Sequence, residues 1–271
     1  MKAWHRILLA SPLGILILAF AISIATIIGD SILTADGRAA WAELIVDRSI
    51  WGVVWRTVWS SALVTLLCAV LGMPLALFLA RSPRRNMWLV LVISPWLVSL
   101  VVRTFGWLVL LGSRGILNTW LQALGLTDAP IQILYTPWAV IIGLTHVLLP
   151  FMIVAVLAGL LDQDPKMEEA ARMLGSSRWQ AFSRVTLPLM MPGVLNGASL
   201  VLLIAMGTIV TPLLLGGLRD RMLGTQIYTE IFQVFDFQRA TAMAVTLLVA
   251  ALVLVWPIRV FENRLRRRQE G

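Results

Sequence analysis

The residues best placed to do chemistry sit in one short polar stretch. Glu169-Ala170-Ala171-Arg172-Met173-Leu174-Gly175, followed by Val185-Thr186-Leu187-Pro188, lies between two long apolar runs. The first part, with Glu168 just before it, combines adjacent acidic residues, a guanidinium at Arg172 and small apolar side chains. The chemistry this set can do is recognition: it reads as a shaped handle for another molecule to grip.

Bond-making machinery is not visible elsewhere. The only lysines are Lys2 and Lys166, and neither closes a G-x-x-x-x-G-K-[ST] loop that could cradle phosphates. There is no H-E-x-x-H, Cys-x-x-Cys or paired-carboxylate arrangement, so no catalytic residue and no metal ligand is nominated. The histidines are His5 and His146, and the single cysteine, Cys68, rules out a disulfide framework.

Local signals shape the handle into two helices. Asp164 before Pro165 makes a helix start, an acceptor followed by a residue whose missing amide costs nothing there. Glu168 and Glu169 lie at the positive end of the helix dipole, and Gly175 is positioned as a left-handed C-terminal cap. Met167, Ala170, Ala171 and Leu174 follow i, i+3, i+4, i+7 spacing and form an apolar stripe of mostly small residues. Ser177 and Gln180 form an S-x-x-Q capping box that opens a second helix running toward Pro188. Periodicity alone admits two uses: docking sideways into a protein, or lying on lipid headgroups with Arg172, Arg178 and Arg184 facing phosphate.

What positions this handle is a membrane. With 59% hydrophobic and 13% charged residues in 271, the chain lacks the polar surface of a soluble globule. Runs at Ile7–Ile28, Thr57–Ala80, Met87–Leu111, Pro137–Leu161, Leu189–Leu215 and Ala240–Val260 meet or approach the ~20 residues needed to span a bilayer. The first, preceded by Lys2, His5 and Arg6, is too long for a cleaved h-region and reads as a retained span. One set of loops holds Lys2, Arg6, Arg81, Arg84, Arg85, Lys166, Arg172, Arg178, Arg184, Arg264, Arg266, Arg267 and Arg268. The other holds Arg38, Arg48, Arg114, Arg219 and Arg221. That asymmetry places both termini and the 162–188 loop in the cytoplasm, and it explains the net charge of +8 by topology and anionic lipid, without nucleic acid. Trp51, Trp55, Trp59, Trp138 and Trp256 fit an aromatic belt. The outer loop 112–136, with Gly112, Gly115, Asn118, Gly125 and Pro130, reads as a short amphipathic or re-entrant piece folded back on the protein.

None of the fourteen acidic residues falls in the central part of a span, which disfavours a proton- or sodium-driven carrier. Candidate path residues are Arg103, His146, Thr208 and Thr211. Arg103 must face a protein or water-filled interior or snorkel outward, and His146 reads first as a neutral packing residue. Gly193 and Gly197 form a close-approach surface on the fifth span, whose outer half around Gly207, Thr208, Thr211 and Pro212 is deformable. Lining the path is the bolder reading there.

The handle resembles the EAA loop of ATP-binding-cassette importer permeases, E-A-A-x3-G-x9-I-x-L-P. Glu169, Ala170, Ala171, Gly175, Val185, Leu187 and Pro188 meet that pattern, with Val185 in place of Ile. Residues 99–107, 115–118 and 223–228 are similar to the spermidine/putrescine-type branch. The resemblance implies an all-α membrane protein, a type I ABC importer permease with six transmembrane helices, forming one permease domain over 1–271. It also implies that Glu169, Ala170, Ala171, Leu174, Gly175, Val185, Leu187 and Pro188 couple to an ATPase. Expected partners are two ATP-binding subunits, a second permease and an extracytoplasmic substrate-binding protein, in the inner membrane of a bacterium. No cofactor is expected on this chain; ATP belongs to the partner. Polyamine is the expected cargo, though the same architecture carries ferric ion, thiamine, sulfate and other solutes. A passive channel or scaffold is the contrasting class.

Overall fold

The computed structural model describes the backbone of residues 2–161 and 166–270, and the side chains of 14–161 and 167–265. The expected helix start at Asp164 and Pro165 lies outside the described residues, as do the side chains of Lys2, Arg6, Lys166 and Arg266 to Arg268. The described chain runs α1 (Lys2–Leu33), α2 (Ala35–Val46), α3 (Arg48–Arg81), α4 (Arg85–Leu97), α5 (Leu100–Leu111), α6 (Ile116–Ala123) and α7 (Pro137–Leu161). Then come α8 (Lys166–Met173), α9 (Arg178–Ala181), a π turn at Phe182–Thr186, α10 (Leu187–Gly207), α11 (Val210–Leu215), α12 (Leu223–Thr229), a π turn at Glu230–Val234 and α13 (Phe237–Glu270).

Six helical stretches among the described residues are long and apolar enough to cross a membrane: 14–33, 48–81, 100–123, 137–161, 178–207 and 237–265. Three of the expected spans are corrected. The third was read as one helix over Met87–Leu111, but it breaks at Val98 and Ser99, just after Pro95. The apolar stretch of spanning length is α5 with α6, and residues 85–97 form the separate α4. The fifth was read to Leu215, but it ends at Gly207 and restarts at Val210. The second begins nine residues earlier than Thr57, because Asp47 caps it: its carboxylate accepts from the Ser49 amide at 2.9 Å. The loop before it is helical too, since the Thr34 hydroxyl caps α2 by accepting from the Gly37 amide at 3.0 Å.

The core is a three-helix unit of α3, α7 and α10. Val64, Cys68, Leu144, Leu148, Met152 and Val201 are all essentially inaccessible within it. Gly193 permits a close backbone approach: a Cβ there would stand 3.0 Å from the Ala155 carbonyl oxygen and 3.2 Å from the Val156 Cα. Any side chain at this position would force α10 away from α7, which is the close-packing role read for this glycine. By contrast α1 is almost wholly exposed over 14–33, which suits lipid or another subunit.

Candidate functional site

Helix α8 stands beyond the ends of α3 and α7 and carries Glu168 and Glu169 in its first turn and Arg172 in its last, complementing the helix dipole. Its end is sharply made. The Gly175 amide donates to the Arg172 carbonyl at 3.0 Å and the Ser176 amide to the Ala171 carbonyl at 3.2 Å, with Gly175 at φ +87°. This is a Schellman closure, and nothing lies within 4 Å of a Cβ added at Gly175, so backbone conformation alone calls for glycine. The capping box of the next helix is present on both sides: Gln180 N donates to Ser177 Oγ at 3.2 Å, and Ser177 N donates to Gln180 Oε1 at 3.0 Å.

The second arm does not stop at the membrane. It widens into the π turn Phe182–Thr186, where Leu187 N reaches back to the Phe182 carbonyl, and continues directly as α10 with Pro188 in its first turn. One helical rod therefore runs from Arg178 to Gly207 and makes the handle continuous with the packed fifth span. Val185 and Leu187 are partly buried near its base, and Thr186 is buried.

The two glutamates face different ways. Glu168 turns inward: its Oε2 accepts from the Arg81 guanidinium at the end of α3 and from the Thr186 hydroxyl at 2.9 Å. Glu169 is exposed, as is Ala170, whereas Ala171 is partly covered. At the tip Met173 and Leu174 are each 88% exposed, and Trp179 lies beside Phe182 with Trp179 outward. Burying two such side chains against a partner contributes about 3–6 kcal/mol at roughly 1.5–3 kcal/mol each. A cleft of about 600 Å³ lies between α8 and the spans, lined by Arg81, Arg85, Glu168, Glu169 and Arg172 over an apolar floor that includes Leu77. Sequence reading missed Glu168 as a contact because its partner on α3 is 87 residues away; Arg81 at the end of an apolar run was the only signal.

The four candidate path residues do not form one cluster. Arg103 donates through Nη2 to the Val98 carbonyl at 2.9 Å, so it bridges the break between α4 and α5, where helical carbonyls lose their partners. Its neighbour Trp107 donates its indole N–H to His146 Nδ1 at 3.3 Å, and the two rings meet edge to face. That bond gives His146 an accepting Nδ1 and a packing partner. Thr208 lies in the unwound step between α10 and α11, its carbonyl against Gly224 of α12. Thr211 is 1% exposed and packs its methyl against Gly143 of α7. At the ends of the spans away from the handle, Asn118 is buried and pins loop 112–136: its amide donates to the Gly112 and Ile131 carbonyls at 2.9 and 3.0 Å and accepts from Ile131 N at 2.8 Å. This loop folds back on the protein, as its glycine and asparagine pattern predicts.

Among the described residues, six apolar helical stretches around a tight three-helix core, with a capped and apolar-tipped handle, define a multi-pass membrane component. Residues 69–267 match the family described as the binding-protein-dependent transport system inner membrane component. The chain is 34% identical to the spermidine/putrescine transport system permease protein PotB of Salmonella typhimurium (strain SL1344), over 93% of this chain and 92% of that protein. It is 39% identical to the PotB of Haemophilus influenzae over 83% of each. Among solved structures, a bacterial ABC transporter involved in the import of the acidic polysaccharide alginate matches with a TM-score of 0.75 over 96% of this chain and 95% of that one. At 22% identity that likeness speaks to the fold. The chain belongs to the binding-protein-dependent inner-membrane components and is the permease subunit of an ABC importer, not its ATPase.

Proposed function

We propose that this permease admits a polyamine of the spermidine/putrescine class to the cytoplasm by alternating access, driven by ATP hydrolysis on partner subunits. The cargo assignment rests on similarity to the two PotB proteins across most of both chains. The observation that carries the mechanism is the handle. A helix of eight residues is fixed at its base to two spans and offers exposed Met173 and Leu174 at its tip. Such a piece transmits a push and stores little of it.

In this reading the handle and both termini face the cytoplasm, in line with the lysine and arginine asymmetry. Helix α8 seats in a cleft on one of two ATP-binding subunits. Glu169, Ala170, Ala171, Leu174 and Gly175 form the seat, and Val185, Leu187 and Pro188 carry the motion into α10. A second, similar permease completes the path, and an extracytoplasmic binding protein delivers the cargo. The unwound step at Thr208 gives the fifth span a joint at membrane depth, where irregular backbone is tolerated only against protein or water.

The test is affinity purification of the chain from its native membrane in mild detergent, followed by reconstitution with its binding protein and labelled spermidine. Recovery of an ATPase and ATP-dependent uptake are expected, with the ATPase lost on Glu169→Arg. A chain that purifies without any ATPase would end the reading, and uptake of a different solute alone would end the polyamine assignment.

A further inference from the structure

We infer that Glu168, the residue before the Glu-Ala-Ala triplet, is the positioning residue that makes the handle move the second and fifth spans together. This rests on the coupling reading proposed above. Covalent continuity ties the handle to α10 through the π turn and, through residues 162–165, to α7. Nothing in the chain path ties it to α3, whose end is 87 residues from Glu168. The Glu168 carboxylate supplies that tie. A single oxygen, Oε2, receives the Arg81 guanidinium from α3 and the Thr186 hydroxyl from the last residue of the π turn. Three elements thus meet on one atom, and the pair sits at the mouth of the cleft between α8 and the spans.

Geometry explains the division of labour between adjacent glutamates. Successive helical residues point about 100° apart, since a turn takes about 3.6 residues. With Glu168 turned toward Arg81 and Thr186, Glu169 is left exposed at the border of the cleft. The π turn matters to the same end, because its wider register sets the buried Thr186 beneath Glu168. Arg81 is 60% exposed and Glu168 28%, so the tie has little intrinsic strength. Its value is directional: it converts a displacement of α8 into displacement of α3 as well as α10.

The test uses the intact importer purified through this chain and reconstituted in proteoliposomes with its binding protein. ATP hydrolysis and labelled spermidine uptake are read from the same vesicles. Glu168→Ala is expected to retain the ATPase subunit and its hydrolysis while uptake per ATP falls about fivefold, the low end of inter-site coupling. Thr186→Val, a milder change that keeps shape, should give a smaller fall in the same ratio. The exchange Arg81→Glu with Glu168→Arg should restore the ratio toward the unmodified value, which a simple folding defect would not allow. Unchanged uptake per ATP in Glu168→Ala overturns the inference, and so does loss of the ATPase subunit, which would make Glu168 a docking residue. Absence of an ATPase from the unmodified preparation would instead sink the coupling reading itself.

Discussion

Two charged junctions stitch distant parts of this chain together, and they are built differently. At the end of α3 away from the handle, Arg239 at the start of α13 pairs with Asp47, the cap of α3, at 2.8 Å, and lies 3.8 Å from Glu230 in the second π turn. Glu230 is 6% exposed and also accepts from Gln226 at 3.0 Å. At the handle, one carboxylate oxygen takes a largely exposed arginine and the Thr186 hydroxyl. The Arg239 junction has two anions around one cation, with a buried member; the handle junction has a single, partly covered anion and a cation open to water. Burial with hydrogen-bonded partners makes a junction costly to break, whereas exposure lets salt and water compete for it. The Arg239 junction is therefore suited to hold α3, α13 and the loop before α13 as one body, and the handle junction is the weaker of the two.

The largest test of this contrast is at the handle tip. Gly175→Asp places a side chain at φ +87° and spoils the cap, so uptake should drop about tenfold or more while the chain still inserts; transport assays normalised to membrane abundance measure it. Undiminished uptake would erase the functional half of the comparison. Next is Arg239→Ala, which removes the cation from a buried glutamate. A loss of about 1–3 kcal/mol is expected in thermal or denaturant unfolding of the detergent-solubilised importer, with ATP-coupling ratio preserved. A variant that keeps its stability but uncouples would reverse the assignment of the two junctions.

A finer cut comes from pH. The Ser49 hydroxyl and amide, followed by the charge of Arg239, hold the Asp47 carboxyl below its usual 3.8. A depressed folded-state value means the stabilisation is fully present above about 3.8 and fades as pH falls through the lower folded value. Asp47→Asn should thus lower stability modestly at neutral pH and flatten the acid limb of the unfolding profile. An unaltered limb would remove Asp47 from the junction. The smallest effect is expected from high salt, which should weaken the exposed Arg81–Glu168 pair before the Arg239 junction; uptake per ATP at rising ionic strength reads it.

Much of the handle was legible because its signals are local. Glycine at the cap, the Ser177 and Gln180 box and the acidic first turn each act within four residues, and the observed hydrogen bonds are those the spacing calls for. The apolar spans were legible by composition, but their interruptions were not. Val98 and Ser99 sit in an apolar run whose only warning is Pro95, and the bend there is held by Arg103 reaching back to the Val98 carbonyl. That hydrogen bond has no counterpart in a run read as one helix. Thr211, a candidate path residue by sequence, packs its methyl against Gly143, because helix facing depends on where α11 restarts after the break.

By itself the sequence determined the class of environment, the number of membrane-length stretches and the short capped helix between the fourth and fifth of them. Those follow from composition and from interactions spanning a few residues, which any conformation of the neighbouring chain leaves intact. Only the tertiary structure decided which glutamate turns inward, where the third and fifth spans break, and that α3, α7 and α10 form the unit to which the handle is tied. Each depends on partners tens of residues apart, such as Arg81 with Glu168 or Gly193 with Ala155, and such pairs come into being only when the helices pack.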